Sequence, residues 1–366
     1  MPASTAMTWT GPTWKTHWAA ARQHHLDWWN HRGLVLWVTA PKDQPWEDLP
    51  KPPEPSDLDT RWFGVEHRIR SAEYGMSRTY FGGDSFPMLG TWSGAGDLAA
   101  YLGCPIELSP ETIWFHPVIQ DPDRHPPLTL DPQSDVFRRQ VDLTRQATAR
   151  ARGRYLVSIP DLVENIDILA SLRGTEALLL DMVERPDWVE ERVDQINQVF
   201  FAAFDAFYDL VRDPEGGNTF VFNLWGPGKT CKVQCDACAM FSPGMFHRFV
   251  VPALSRQCRW LDYAMYHLDG ETCLQNLDEL LAIEDLDAIE WTPQRIAVGE
   301  GGGHPMFYGL YRRILKAGKS VQAICVKYEE VLPLLDAVGG RGMFIQTSAP
   351  DENAARRLEE KVAAYR

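Results

Sequence analysis

The feature that most limits the fold of this chain is a regular alternation of short apolar runs and longer segments with helical periodicity. Eight runs rich in β-branched and aromatic residues each end in polar or turn residues: Leu34–Thr39, Ser85–Trp92, Tyr155–Pro160, Thr219–Trp225, Tyr263–His267, Ala288–Thr292, Val321–Val326 and Met343–Thr347. Several are apolar throughout, which is typical of parallel strands covered on both faces. The pattern predicts an α/β fold, a single (β/α)8 TIM barrel over residues 31–366.

Three segments lie outside this alternation. Residues 1–30 form a predicted N-terminal helical extension, because apolar and aromatic side chains recur there at helical spacing: Trp14, Trp18, Ala21, His25 and Trp28. The segments Pro41–Asp59 and Pro105–Gln133 are rich in proline and follow early strands. We expect them to be long loops over the catalytic face, although an inert insertion is an equal alternative for each.

Composition excludes some classes of partner. The chain has 366 residues, of which 45% are hydrophobic, so it can bury a large core. Its formal net charge of −14 and the lack of a Lys/Arg-rich stretch disfavour binding to nucleic acid or to an anionic membrane surface. No apolar run approaches the roughly 20 residues that span a bilayer. We therefore expect a small-molecule substrate, and the sequence leaves open whether the chain forms a homodimer.

The cysteines and the first residues bear on the compartment. Seven cysteines, an odd number without framework spacing, indicate free thiols in a reducing environment. Met1–Trp14 lacks a cationic start followed by an apolar stretch, so we expect no secretory signal and a cytoplasmic protein. The spacing of Cys231, Cys235 and Cys238 could suggest a metal cluster, but their apolar surroundings favour buried, inert thiols.

Polar residues at the ends of the predicted strands are the candidates for function, because barrel enzymes keep their chemistry there. The strongest signal is Tyr266-His267-Leu268-Asp269-Gly270, in which His267 and Asp269 leave the same face of an extended segment. A core histidine beside a helix-capping aspartate is the alternative. Glu290 is expected to point into the barrel or to lie one residue below the rim. Further candidates are catalytic Asp161 and Glu164, and substrate-binding Asp84, Asn223, Trp225, Tyr266, Trp291, Lys327 and Gln346.

Two chemistries fit these residues. His267 and Asp269 could bind a divalent metal such as zinc with open positions for substrate, and magnesium or manganese also fit the ligand set. Alternatively, Asp161 and Asp269, helped by Glu164, could work as an acid–base pair. That arrangement would predict a glycoside hydrolase or a lyase that acts on a sugar-like substrate. The residues alone do not decide between the two.

Several motifs together resemble the uroporphyrinogen decarboxylase superfamily. They are Asp236-Ala237-Cys238 with Phe241-Ser242-Pro243, the stretch Tyr266–Gly270, the segment Asp287–Pro293, Leu102-Gly103 and the turn Ala317-Gly318-Lys319. The resemblance covers nearly the whole chain after the first helix and implies the barrel fold. It also implies an enzyme, most readily a methyltransferase that moves a methyl group between a small substrate and a corrinoid carried by a partner protein.

The chain departs from the superfamily at the metal ligands. Its zinc-dependent thiol methyltransferases use His-x-Cys on the fifth strand and a distant Cys after the last strand. Here His267 matches, Asp269 replaces the first thiolate, and Gln346-Thr347-Ser348 occupy the region of the second. The resemblance therefore implies a metal site with altered ligands, built on His267 and Asp269. Arg32 stands alone where the decarboxylase has several arginines for its tetrapyrrole, so decarboxylation of that substrate is not expected.

Overall fold

The computed structural model describes residues 9–294 and 299–366, which form a mostly parallel sheet surrounded by helices. The strands are β1 (Val35–Pro41), β2 (Thr79–Gly83), β3 (Met88–Leu89), β4 (Ile106–Leu108), β5 (Ile113–Phe115), β6 (Leu156–Val157), β7 (Asn218–Phe220), β8 (Leu224–Gly226), β9 (Thr230–Gln234), β10 (Tyr263–Asp269), β11 (Ala288–Thr292), β12 (Ser320–Ala323) and β13 (Met343–Ser348). Residues 1–8, the start of the predicted helical extension, lie outside the described part.

The helices fill the segments between the strands, as the periodicity predicts. They are α1 (Trp18–Trp29), α2 (Leu58–Phe63), α3 (Val65–Ser77), α4 (Asp97–Tyr101), α5 (Asp135–Ala151), α6 (Asn165–Arg173), α7 (Thr175–Glu184), α8 (Pro186–Val211), α9 (Pro243–Phe249), α10 (Val251–Trp260), α11 (Leu277–Ala282), α12 (Tyr308–Lys316), α13 (Val331–Val338) and α14 (Glu352–Val362). Local capping explains some of their starts: the side chains of Ser242 and Asp351 accept backbone N–H bonds at the N-termini of α9 and α14. Within the described residues, every helix is too short or too polar to cross a bilayer.

The main sheet has seven strands in the order β2-β1-β13-β12-β11-β10-β9. Its pairings are parallel except that of β2 with β1. Strands β3 and β6 form a separate parallel pair, and a single parallel bridge joins Ser158 to Thr219. Across residues 9–294 and 299–366 the hydrogen-bonded sheet is not closed, so the α/β class is confirmed and the predicted TIM barrel is not.

One predicted strand, Thr219–Trp225, is wrong and is instead a hairpin. Strands β7 and β8 pair antiparallel, and Thr219 lies opposite Trp225. The turn between them holds Phe222 and Asn223 in the left-handed region, with φ of 67° and 60°. The chain therefore reverses after Phe220 and carries Trp225 back to the level of Thr219.

The sheet is buried on both faces, which produces two cores. One face packs against the surrounding helices through residues such as Ile289, Val321 and Ile345. On the other face, Met265 and Phe344 pack against the tryptophans of α1 and Phe86. Two indoles of α1 also form hydrogen bonds to strands. Trp28 Nε1 donates to Val321 O of the sheet at 3.2 Å, and Trp29 Nε1 donates to Trp225 O of the β7–β8 hairpin at 2.9 Å. Helix α1 is thus part of the core, although its status as a separate extension stays a prediction.

Candidate metal centre at the carboxyl end of the sheet

The ends of two neighbouring parallel strands bring three potential metal ligands together. Strand β10 ends with His267 and Asp269 on one face, and β9 ends at Gln234, directly opposite His267. Asp236 follows Gln234 by two residues, so it arrives beside the end of β10. One nitrogen or oxygen atom from each of Asp236, His267 and Asp269 lies within 4.8 Å of the others. The distance from His267 Nε2 to Asp236 Oδ1 is 4.0 Å.

The imidazole of His267 is oriented by a carboxylate on the next strand. Glu290 lies opposite His267 in the β10–β11 pairing, is fully buried, and contacts His267 Nδ1. The Glu290 carboxylate also accepts a hydrogen bond of 2.7 Å from Thr292 Oγ1. Burial lowers the pKa of His267, but the Glu290 charge and hydrogen bond outweigh it, so that the net shift is upward. With Nδ1 engaged, Nε2 is the nitrogen that remains for a metal or a substrate.

A phenyl ring covers one side of this imidazole. The Phe222 and His267 ring centroids are 4.7 Å apart with an interplanar angle of 34°. The left-handed turn between β7 and β8 places the ring there, and Gln322 Nε2 secures the turn by donating to Phe222 O at 2.7 Å. Phe222 therefore restricts the approach of water to the buried side of the candidate site.

Asp236 is held by its backbone and by one of its two oxygens. The Asp167 carboxylate accepts hydrogen bonds from the N–H groups of Asp236 and Ala237 at 2.8 and 2.9 Å. Gln234 Nε2 donates to Asp236 Oδ2 at 2.8 Å. The other oxygen, Oδ1, is buried and has no hydrogen-bond partner among the described residues. Burial, with the negative charge of Asp167, raises the pKa of Asp236 to about 7.

Asp161 and Glu164 belong to a polar network on the β9 side of this group. Lys232 is almost fully buried, and its Nζ lies 2.8 Å from Asp161 Oδ1 while also contacting the Gln234 side chain. The Glu164 carboxylate accepts from Gln234 N at 2.5 Å. Burial raises the pKa of Glu164 to about 8, although the Lys232 charge opposes this shift. Gln234 thus connects Glu164 directly, and Asp161 through Lys232, to Asp236. The role of Asp161 and Asp269 as an acid–base pair stays a prediction.

Three aromatic residues predicted to bind substrate lie in the cores. Tyr266 and Trp291 occupy the face of their strands opposite His267 and Glu290, and both are buried under helices. The ring of Trp291 packs on Phe307 at a centroid distance of 5.4 Å. Trp225 packs with the tryptophans of α1, and its Nε1 donates to Asp213 Oδ2 at 2.9 Å. Their predicted role gains no support from these positions.

The other predicted residues are spread over the sheet and its connecting segments. Asp84 accepts a hydrogen bond from Leu36 N, near the start of β1, and pairs with His24 and Arg366. It therefore lies at the amino end of the parallel strands, whereas Asp269 lies at their carboxyl end. Lys327 is exposed and lies 3.7 Å from Glu330. Asn223 adjoins Phe222 in the hairpin turn. Gln346 lies on the same face of β13 as Phe344. Phe344 pairs with Gln322 on the next strand, and Gln322, Glu290 and His267 lie opposite one another across β12, β11 and β10.

Sequence reasoning missed strand β9, and with it the position of Asp236 beside His267 and Asp269. Lys232 and Gln234 alternate with Cys231 and Val233, so no continuous apolar run marks this strand. The alternation itself was the available signal, because period two is typical of a strand with one polar face. It would have placed Asp236 just beyond a strand end, next to His267 and Asp269.

Comparisons with known proteins support the fold. No protein-family model matches the chain, and no curated protein matches its sequence. Among solved structures, a methyltransferase from Methanosarcina mazei superposes with a TM-score of 0.60 at 10% sequence identity. The match covers 94% of this chain and 99% of that one. At such low identity, the similarity concerns the fold of nearly the whole chain.

Proposed function

We propose that the chain is a methyltransferase-like enzyme whose substrate reacts at a divalent metal ion, with zinc the first candidate, held by Asp236, His267 and Asp269. The observation that carries the proposal is the convergence of these three ligand atoms within 4.8 Å. The similarity in fold to a protein described as a methyltransferase supports the choice of reaction.

The residues fit a metal by three criteria. One imidazole and two carboxylates match the donors that Zn²⁺ accepts, and three protein ligands leave a position open for substrate. Ligands at about 2.1 Å from a tetrahedral ion stand about 3.4 Å apart, so the 4.0 Å between His267 Nε2 and Asp236 Oδ1 would have to close by about 0.6 Å. A cation would also satisfy Asp236 Oδ1, which is buried without a hydrogen-bond partner among the described residues.

The chain prepares this site before any substrate arrives. Glu290 holds His267 through Nδ1 and leaves Nε2 directed at the other ligands. Asp167 fixes the backbone that carries Asp236, and Phe222 limits access of water. When bound, a divalent metal would supply a Lewis acid that stabilises negative charge on the atom that loses its methyl group. We further propose, from the superfamily resemblance, that a corrinoid on a partner protein exchanges that methyl group.

Metal content tests the centre directly. Protein purified without chelators is expected to contain stoichiometric zinc or another divalent ion, measured by mass spectrometry of the metal. His267→Ala and Asp236→Asn should lose most of it. His247→Ala is the matched control, because His247 also contacts a glutamate, Glu279 at 2.9 Å, but is exposed. Equal metal content in His267→Ala and His247→Ala would overturn the assignment.

Methyl transfer is tested with free cobalamin in place of the partner. The metal-loaded protein is mixed with cob(I)alamin and a panel of methylated thiols, ethers and amines, and formation of methylcobalamin is followed by absorption. Methylation that depends on His267 would support the proposal. If the protein, freed of metal, instead cleaves nitrophenyl glycosides and loses this activity in Asp161→Asn, the paired-carboxylate function replaces it.

A further inference from the structure

We infer that the substrate of this site is an amphiphilic small molecule, whose reacting polar end sits at Asp236 and whose apolar body lies in a groove running from Asp236 to Trp114. The inference deepens the proposed function and rests on it. It comes from two neighbouring cavities. Of the three proposed metal ligands, only Asp236 lines them.

The first cavity opens directly beside the candidate metal centre. It has a volume of about 330 Å³ and is lined by Asp236 and Gln234 at one end. Much of the remaining wall is apolar, from side chains such as Val163, Ile168 and Met240. A ligand that reaches Asp236 through this cavity therefore meets carboxylates only at Asp236 and Asp167, along a wall that otherwise mixes apolar and hydroxyl side chains.

The second cavity continues the first along α6 and α7. It has a volume of about 490 Å³ and shares with the first a wall of four small residues, Ala95, Ala170, Ser171 and Thr175. Its far side is the hairpin of β4 and β5, which contributes Ile113, Trp114 and Phe115. This hairpin lies within the segment 105–133, which the sequence predicts to be a loop over the catalytic face.

The walls of both cavities expose apolar side chains that a folded chain normally covers. Trp114 exposes 58% of its surface and Met240 exposes 51%. Each lines one of the two cavities. Large apolar groups in a concave surface beside convergent polar groups are typical of a small-molecule site. Continuity with Asp236 is the reason to assign the groove to the body of the substrate.

Hydroxamates of different chain length test this inference, because their head group binds zinc and their tail can be varied. Acetohydroxamate and octanohydroxamate are titrated into zinc-loaded protein and followed by tryptophan fluorescence and calorimetry. Burial of the longer tail should make octanohydroxamate bind at least about tenfold more tightly. Trp114→Ala should remove most of that advantage without changing the affinity for acetohydroxamate. Leu180→Ser is the control, since Leu180 is also exposed but lines neither cavity.

The outcomes separate the groove from the metal centre. Zinc-dependent binding of both probes with equal affinity, or an octanohydroxamate advantage that survives in Trp114→Ala, would overturn the groove and leave the metal centre standing. Failure of both probes to bind zinc-loaded protein, or a protein that takes up no divalent metal, would overturn the proposed function and the groove with it. A tail advantage lost in Trp114→Ala, kept in Leu180→Ser and abolished by EDTA would support both.

Discussion

The buried carboxylate of Glu290 contacts Nδ1 of His267 across two neighbouring parallel strands. Neither residue is exposed enough to reach bulk water freely, since the Glu290 side chain is fully buried and 11% of the His267 side chain is exposed. This contact decides which ring nitrogen of His267 faces Asp236. It therefore links the register of the sheet to the chemistry at its carboxyl end.

Replacing the orienting carboxylate should weaken metal binding without removing a ligand. Glu290→Gln keeps the shape of the side chain but loses the charge that favours the proton on Nδ1 and raises the basicity of Nε2. We expect zinc affinity to fall about 10- to 100-fold, measured by competition with a chromophoric chelator. Glu279→Gln alters the exposed His247 pair in the same way and should leave affinity unchanged. Equal affinities in the two variants would contradict the orienting role.

The buried pair of Lys232 and Asp161 should show strong energetic coupling. Asp161→Asn leaves the Lys232 charge with a weaker partner, and Lys232→Met leaves Asp161 without its cation, so each change should cost about 3–5 kcal/mol in unfolding free energy. The double variant should cost clearly less than the sum of the two. Chemical denaturation of all four proteins measures the coupling. The exposed pair of Arg185 and Asp123 at 2.7 Å is the comparison and should couple by about 0.2–1 kcal/mol.

The contribution of Asp97 to stability should fall as pH rises through the acidic range. This side chain is fully buried and accepts bonds from Ser93 N and Gln140 Nε2 at 3.1 and 2.6 Å. Burial raises its pKa from 3.8 to about 7. The folded state therefore keeps a proton that the unfolded state releases, and stability is lost between these values at up to about 1.4 kcal/mol per pH unit.

Asp97→Asn isolates this contribution, because the amide keeps the shape of the protonated carboxyl group. The difference in unfolding free energy between the wild type and Asp97→Asn should shift against the wild type from pH 4 to pH 7. Urea unfolding at several pH values provides the measurement. A difference that stays constant over this range would show that Asp97 does not bind the proton.

The tryptophans of α1 should be essential to the fold. Trp28 is fully buried against the sheet, where its ring packs on Phe344 at a centroid distance of 5.6 Å. Trp28→Ala should therefore lower the unfolding free energy by about 3–5 kcal/mol. Trp114→Ala removes an equally large but exposed ring and should change stability by less than about 0.5 kcal/mol. Similar thermal midpoints for the two variants would contradict the place of α1 in the core.

Much of the α/β fold could be predicted because it follows from local patterns. The predicted strand Ala288–Thr292 agrees with the structure to the residue, and the predicted strands at Tyr263 and Met343 begin at the same residue as β10 and β13. The pairing of His267 with Asp269 on one strand face also needed only the period of an extended chain. The same period places Tyr266 on the opposite face of the strand, because adjacent residues of a strand point to opposite faces.

What remained was decided by contacts between segments distant in sequence. Asp236 becomes a candidate ligand because β9 lies beside β10, and Trp225 leaves the site because the chain reverses at Phe222. By itself the sequence determined the periodicity of each element and the residue types at its end, since both depend on neighbours along the chain. The tertiary structure alone decided the order of the strands, the open edge of the sheet and the third candidate ligand, because strand pairing depends on side chains that meet only after folding.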